Sequence, residues 1–492
     1  MAPSATPARG RRASLALVAA ALFAPTLAFM LWYRNEGIFH LDAVFLAEAV
    51  EDVWNGRGWD VRWRFGAVLA NAGVYGPFWL AGESAERATV VASCLFHALS
   101  VPMAFLFVTR LSGSRRHGAL AAGLLAVAPA CTISNSFGKE YGLAMLLVAA
   151  ALWLAVVAHD TGSAWRAALG AFLWAFAYTV WEGLLAATPL LAVALLMPRA
   201  SRPRLPAAPR RRRLLAGAGA GWTAGLAVAV STSLLAMLRT YAAERQMTAV
   251  AVDPAAMLWR AGADLVRFSG WTQVLAAATG VALAWRRRQA RRVLPLGVLL
   301  VATILFYGSL STYGPRYLSL AALGLAILAG AAFEWLLTQR PAVRATGLLA
   351  YGLTIAAMLA AALPLLEPRR TYNGAKRYAL FVAEATEPDS LIVVTDDSRF
   401  IEYYARRATR GHPIGDPDAT AAWVRALAEE ARQRPVYLTE SGLAYDPGRI
   451  VQRALDDTFT RQLIGTRSTE DYHHAEGRRR VYEGHLWRLV PR

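Results

Sequence analysis

Apolar runs long enough to cross a bilayer recur along this chain and dominate its pattern. Roughly 18 to 23 apolar residues suffice to cross a hydrocarbon core of about 30 Å. Eleven such stretches can be read, at roughly 13–33, 88–109, 118–134, 140–158, 164–181, 183–198, 214–238, 271–285, 293–310, 315–337 and 345–365. Several are short or broken by Gly, and the pair flanking Trp181-Glu182-Gly183 could equally form one re-entrant element. Between the first two spans the pattern turns amphipathic. In Asp42–Trp54, Leu46, Ala49, Val50 and Val53 recur at helical spacing, with Glu48, Glu51 and Asp52 elsewhere on the wheel. Asp42 is expected near the Leu46/Ala49/Val53 face, with Glu48 and Glu51 turned away. Trp54, Trp59, Trp63, Tyr75 and Trp79 follow, an aromatic density suited to the headgroup level. A helix lying on the membrane surface, then a second near 66–81, is the predicted arrangement at about 40–82.

After residue 365 the periodicity changes. Leu391-Ile392-Val393-Val394-Thr395 and Pro435-Val436-Tyr437-Leu438-Thr439 read as short strands ending in polar turns. Helical patterns at about 373–386, 417–433 and 447–458 alternate with them, and Arg480-Val481-Tyr482 through Leu486-Trp487-Arg488-Leu489 suggests closing strands. The predicted architecture is an α-helical polytopic membrane protein over 1–365, followed by an α/β domain over 366–492 with a sheet in two or three layers.

Composition agrees: 56% hydrophobic residues and a mean hydropathy of +0.33 exclude an ordinary water-soluble chain. The net charge of +18 suggests nucleic acid until it is mapped. With the N-terminus inside, cytoplasmic segments hold 21 arginines against only Asp160 and Glu334, while the outer segments carry 11 basic residues against 13 acids. The tail is nearly balanced, 20 to 19. The excess is therefore a positive-inside bias, which places the C-terminal domain extracytoplasmic and the protein in the inner or plasma membrane. The run Arg210-Arg211-Arg212-Arg213 reads as a loop touching anionic headgroups, with no nucleic-acid partner expected. Arg9–Arg12 with its apolar run reads as an uncleaved signal anchor. The two cysteines, Cys94 and Cys131, fall in spans and argue for neither disulfide nor zinc.

Ionisable groups beside a bilayer are costly and become candidates for function. Asp42, in His40-Leu41-Asp42-Ala43, could serve as a general base; structurally, an acid in a first helical turn favours the macrodipole. Glu140, in Gly138-Lys139-Glu140-Tyr141, could bind sugar hydroxyls, with Lys139 facing a phosphate; the pair could also be an interface anchor. Glu182 could be a site residue or an ordinary hairpin residue. Arg316, after Gly314-Pro315, offers a planar fork that matches phosphate, or snorkels to headgroups. His40 could assist Asp42, although a lone interfacial His is commonly just amphipathic. The Thr395-Asp396-Asp397-Ser398 turn reads first as a helix N-cap signal, and His473-His474 as a solvated pair. No grouping has metal-ligand spacing.

Taken in order, these residues resemble the GT-C superfamily of integral membrane glycosyltransferases, especially its protein mannosyltransferase and aminoarabinose-transferase-like members. His40-Leu41-Asp42 with Glu48 and Trp54-Asn55-Gly56-Arg57-Gly58 is similar to the acid-bearing first outer loop of that family. Gly138-Lys139-Glu140 is similar to its second loop, and Pro315-Arg316-Tyr317-Leu318 to its late Arg-Tyr span. The resemblance implies Asp42 as catalytic base, Glu140 as supporting acid and Arg316 as a lipid-phosphate contact; Lys139, Tyr317, His40 and Glu182 join Arg316 as expected substrate-binding residues. It further implies a polyprenyl-phosphate-sugar donor, a glycan, lipid or protein acceptor, and inversion at the anomeric carbon. Ala43 stands where the family carries a second acid, and Glu182 where many relatives carry a basic residue. Donor identity and any divalent cation therefore stay open. The rival reading is a transporter or lipid flippase, which would favour midplane breaks and repeated halves.

Overall fold

The computed structural model describes residues 7–196, 208–247, 253–286, 293–308, 315–395, 398–443, 446–473 and 478–492. Its contacts divide the chain into two compact units, Met1–Arg34 with Ala49–Arg370, and Asn35–Glu48 with Thr371–Arg492.

The first unit is helical. Among the described residues six helices are long and apolar enough to cross a membrane: Ser14–Trp32, Ala85–Ser112, Tyr141–Thr161, Ala208–Ser231, Ser319–Leu337 and the run beginning at Pro341. A seventh arises if Arg115–Ala126 and Pro129–Asn135, bent by 51°, form one broken span. The count of eleven is thus not reached by this measure. The remaining predicted spans are shorter helices, Ala164–Phe176, Pro189–Leu196, Trp271–Arg286 and Leu294–Gly308. At 1.5 Å per residue the 16 residues of Trp271–Arg286 reach only about 24 Å. The expected span over 164–181 fails for a local reason: the helix stops at Phe176 and the chain tightens into two 3-10 turns, Ala177–Thr179 and Glu182–Leu185.

Burial separates inner helices from outer ones. The apolar windows of Ala85–Ser112, Tyr141–Thr161 and Ser319–Leu337 are 67–72% buried, against 11% for Ser14–Trp32 and 28% for Ala208–Ser231. Apolar side chains on the outer helices, such as Leu17, Leu348 and Leu349, are exposed, as lipid-facing positions would be. Close packing is set by glycine. Gly217, Gly221 and Gly225 recur every four residues on one face of Ala208–Ser231, where an added Cβ would collide with the backbone of Ala164, Ala168 and Phe172. Small residues at this spacing let two helix backbones touch.

One end of this bundle gathers its arginine-bearing turns. Arg115 Nη1 donates to Ser14 Oγ at 2.6 Å, Arg110 pairs with Asp160 at 2.7 Å, and Arg210 donates to the His159 carbonyl at 2.8 Å. Ser114 and His117 meet Glu334 there. Both acids in the otherwise basic segments are therefore placed against donors.

In the second unit five strands form a mixed sheet. Strand β1 is Leu391–Val393, β2 Ala408–Arg410, β3 Val436–Thr439, β4 Phe459–His473 and β5 Arg478–Pro491, in the order β2-β1-β3-β5-β4. β1 runs parallel to β2 and β3; β5 is antiparallel to β3 and β4. Leu391 and Val393, with Val436 and Leu438, face the helices Pro417–Ala431 and Ile450–Thr458 through Val424, Leu427, Val451 and Leu455. Strand alternation sends Ile392 and Tyr437 to the other face, where the helix Gly374–Ala385 brings Tyr378 against Gly484 and Phe381 against Gly465. The result is three layers. Segment Asn35–Glu48 is bound to this unit: Asn373 Nδ2 donates to the Ile38 carbonyl at 2.7 Å, and the Arg399 guanidinium lies 4.3 Å from the Phe45 ring centroid.

Candidate active site

Four of the seven residues singled out in the sequence come together in the helical unit, and two of them, Glu140 and Glu182, meet an arginine that the sequence did not single out. Arg64 precedes the helix Phe65–Leu80 with left-handed backbone, φ 41° and ψ 49°. That turn can approach the 177–182 segment because residue 66 is glycine; a Cβ there would overlap Thr179 Oγ1. Arg64 Nη1 then donates to Glu140 Oε1 at 2.6 Å and to the Val180 carbonyl at 3.0 Å, and lies 3.8 Å from Glu182 Oε2.

The break between Pro129–Asn135 and Tyr141–Thr161 presents Lys139 and Glu140. Gly138 makes the turn with φ +90°. Asn135 Oδ1 accepts from Gly142 N at 2.6 Å, and Ser93 Oγ donates to the Lys139 carbonyl, fixing the loop against Ala85–Ser112. Lys139 Nζ sits 3.8 Å from Glu140 Oε1 and 5.7 Å from the Tyr141 ring centroid. With Arg64 and Lys139 against Glu140 and Glu182, two cations face two carboxylates, and all four side chains are at most 6% exposed. Such groups leave water only when paired, because desolvation is costly. The pairing is incomplete. Glu182 Oε1 and Oε2 and Glu140 Oε2 accept no hydrogen bond from any described group.

Aromatic rings wall the cluster. Trp181 stacks on Tyr317 with centroids 6.0 Å apart and planes 4° apart, and Tyr141 sets its edge against both, at 5.3 and 6.3 Å. Tyr317 arrives from the 3-10 turn Pro315–Leu318, which leads into Ser319–Leu337. The expected phosphate contact, Arg316, lies in the same turn, but its side chain lies outside the described residues. Lys139 is sealed against Glu140, so its charge first serves that acid.

Asp42 and His40 belong to the other unit. Asp42 is in the first turn of Leu41–Trp54, and its backbone N–H donates to His40 Nδ1 at 3.2 Å; the carboxylate lies 3.7 Å from the same nitrogen. An accepting Nδ1 puts the proton of a neutral His40 on Nε2. The two side chains are 30% and 21% exposed, open enough to meet a ligand. The helix is rotated from the expected phase. Ala43, Val44, Leu46, Ala47 and Val50 are buried, whereas Ala49 and Val53 are only partly so, and Asp42 flanks the buried stripe.

A divalent cation does not fit the buried cluster. The Arg64 guanidinium already stands between the two carboxylates, and among the described residues no three His, Cys, Asp or Glu side chains converge. The chemistry on offer is instead that of buried acceptors beside aromatic faces, suited to a ligand rich in hydroxyls.

No family model matches the chain, and no curated protein matches it by sequence. Solved structures do. A cryo-EM structure of a mutant form of the arabinofuranosyltransferase AftD from Mycobacteria superposes with a TM-score of 0.53 at 15% identity, covering 97% of this chain and 41% of that one. A second AftD structure gives 0.51 at 14% identity, covering 97% and 40%. This chain thus spans about two fifths of the length of those proteins and shares the fold of that part.

Proposed function

We propose that the chain is a multi-pass membrane glycosyltransferase of the GT-C type, which moves a sugar from a polyprenyl-phosphate-sugar donor to an extracytoplasmic glycan, lipid or protein acceptor. The observation that carries the reading is Glu182, a buried carboxylate without a hydrogen-bond donor among the described residues, beside the Trp181–Tyr317 stack. A sugar ring would supply hydroxyl donors for the acid and an apolar C–H face to pack beside the rings. The fold shared with an arabinofuranosyltransferase supports the same class.

In this reading Asp42 takes the proton of the acceptor hydroxyl as its oxygen attacks the anomeric carbon. The bond from that carbon to the phosphate oxygen breaks, the electron pair leaves with the phosphate, and the centre inverts. Arg316 holds the departing phosphate. Glu140, fixed by Arg64 and Lys139, positions the sugar, and His40 orients Asp42 through its backbone amide. The basic end of the bundle faces the cytoplasm, leaving the C-terminal domain outside.

The test is Asp42→Asn in membranes supplied with radiolabelled polyprenyl-phosphate-linked sugars. Transfer should fall by about 10²-fold or more at normal expression, the scale of a lost general base. Unchanged transfer removes Asp42 from the chemistry; absence of transfer by the unaltered chain with every donor removes the enzymatic reading.

A further inference from the structure

A second concave site lies wholly within the C-terminal unit. In open α/β sheets, ligands bind beyond the carboxyl ends of adjacent parallel strands whose onward connections diverge to opposite faces. β1 and β3 are such a pair. The chain leaving β1 forms the helical segment Ser398–Ala405, packed with Gly374–Ala385 on one face, whereas β3 is followed by Ile450–Thr458 on the other. At that divergence lies a cavity of about 170 Å³, lined by Ala375, Tyr378, Phe400, Ile401, Glu440, Ser441 and Gly484.

Its walls are unequal. Tyr378, Phe400, Ile401 and Ala375 form an apolar side, and the Tyr378 hydroxyl is tied back to the His485 carbonyl at 2.9 Å, which leaves its ring for packing. Gly484 lets β5 come up to that ring, since a Cβ there would stand 2.8 Å from Tyr378 Cδ2. The polar groups stand together on the β3 side. Glu440 Oε2 lies 2.9 Å from His485 Nδ1, and Ser441 Oγ is 3.2 Å from Thr439 Oγ1.

We propose that this crevice binds a single neutral sugar residue. A dry cavity of about 150 Å³ admits one benzene, so this volume holds one ring. The occupant should have an apolar C–H face for Tyr378 and Phe400 and a hydroxyl edge for Glu440 and Ser441. The Glu440 carboxylate repels anionic ligands and accepts from hydroxyls.

The experiment uses the full chain in detergent, without any donor, so its outcome is separate from that of the transfer assay. Binding of tritiated methyl glycosides of mannose, galactose, glucose and arabinose is measured by equilibrium dialysis. At least one should bind saturably; Ala375→Phe, which fills the cavity, and Glu440→Gln, at an exposed position, should each weaken it by about tenfold, the effect of one lost contact of about 1.4 kcal/mol. Glu440→Gln guards against a folding defect in the filled variant, and unchanged thermal midpoints verify both. No binding at millimolar glycoside, binding by both variants as tight as by the unaltered chain, or competition by indole but by no glycoside would overturn the proposal.

Discussion

Replacing Arg64 by Met should destabilise the helical unit far more than its place in a loop before a surface helix would suggest. The guanidinium makes a 2.6 Å bond to Glu140, a 3.0 Å bond to the Val180 carbonyl and a 3.8 Å contact to Glu182, with 6% of its side chain exposed. Among the described residues its loss leaves the two buried carboxylates with Lys139, which lies 3.8 Å from Glu140. Breaking a buried pair by removing one partner costs about 3–5 kcal/mol. At roughly 2 °C per kcal/mol for a large domain, the thermal midpoint should drop by roughly 6–10 °C. Removing both partners (Arg64→Met with Glu140→Gln) should cost less than the sum of the single changes, by about 2 kcal/mol, as expected for groups in one network. Arg62→Met is the control. Arg62 pairs with Asp60 at 3.0 Å, but its side chain is 73% exposed, so the midpoint should not move. The assay is thermal unfolding of the detergent-purified chain followed by intrinsic fluorescence. A midpoint for Arg64→Met within about 1 °C of the parent, or strictly additive effects with Glu140→Gln, would refute the buried network.

Glu182→Gln should lower sugar transfer at least tenfold while shifting the midpoint less than Arg64→Met does, since it removes only a 3.8 Å charge contact to Arg64 and no hydrogen bond; radiolabelled transfer beside the unfolding curve reads both. Gly221→Leu should force Ala208–Ser231 away from Ala168 and reduce the folded yield in detergent, whereas the same change at Gly219, where a Cβ meets nothing, should not. In the C-terminal unit the Tyr437 phenol is pushed up to about 12, first by burial and then by its 2.6 Å hydrogen bond to Glu387. That contribution to stability is complete below an ordinary phenol value of 10.0 and is lost as pH rises toward 12, so Tyr437→Phe should flatten the alkaline fall of the midpoint. The same bond holds the Glu387 carboxyl below its usual range, adding stability that disappears as pH falls through the lowered value. Cys94 and Cys131 are buried and should resist maleimide until the chain is denatured, as mass spectrometry would record.

Long-period patterns were legible in the sequence where one physical rule governed them. Uninterrupted apolar helices such as Tyr141–Thr161 and Ser319–Leu337 stand where hydropathy puts them, and Leu391–Val393 and Val436–Thr439 lie where β-branched runs end in turns. Features set by tertiary contacts were not. Ala408–Arg410 is three residues of ordinary polarity whose strand state depends on β1 beside it. The phase of Leu41–Trp54 follows from which side meets neighbouring structure: Ala43, Val44 and Ala47, outside the Leu46/Ala49/Val53 stripe, are apolar too and are buried, whereas Ala49 and Val53 are only partly so. Arg57, Arg62 and Arg64 look alike in a Trp-rich stretch, yet their side chains are 63%, 73% and 6% exposed. Only Gly66, two residues past Arg64, carries a local trace of the close approach, and its cause lies more than a hundred residues away at Thr179.

The chain holds 52 lysines and arginines, yet Lys139 and Lys376 are its only lysines, and the first is sealed inside the helical bundle. Amine-reactive dyes should therefore tag the native protein at one side chain, Lys376 on Gly374–Ala385, besides the chain's α-amino group. Modification at Lys139 becomes a chemical timer for how often the bundle breathes open.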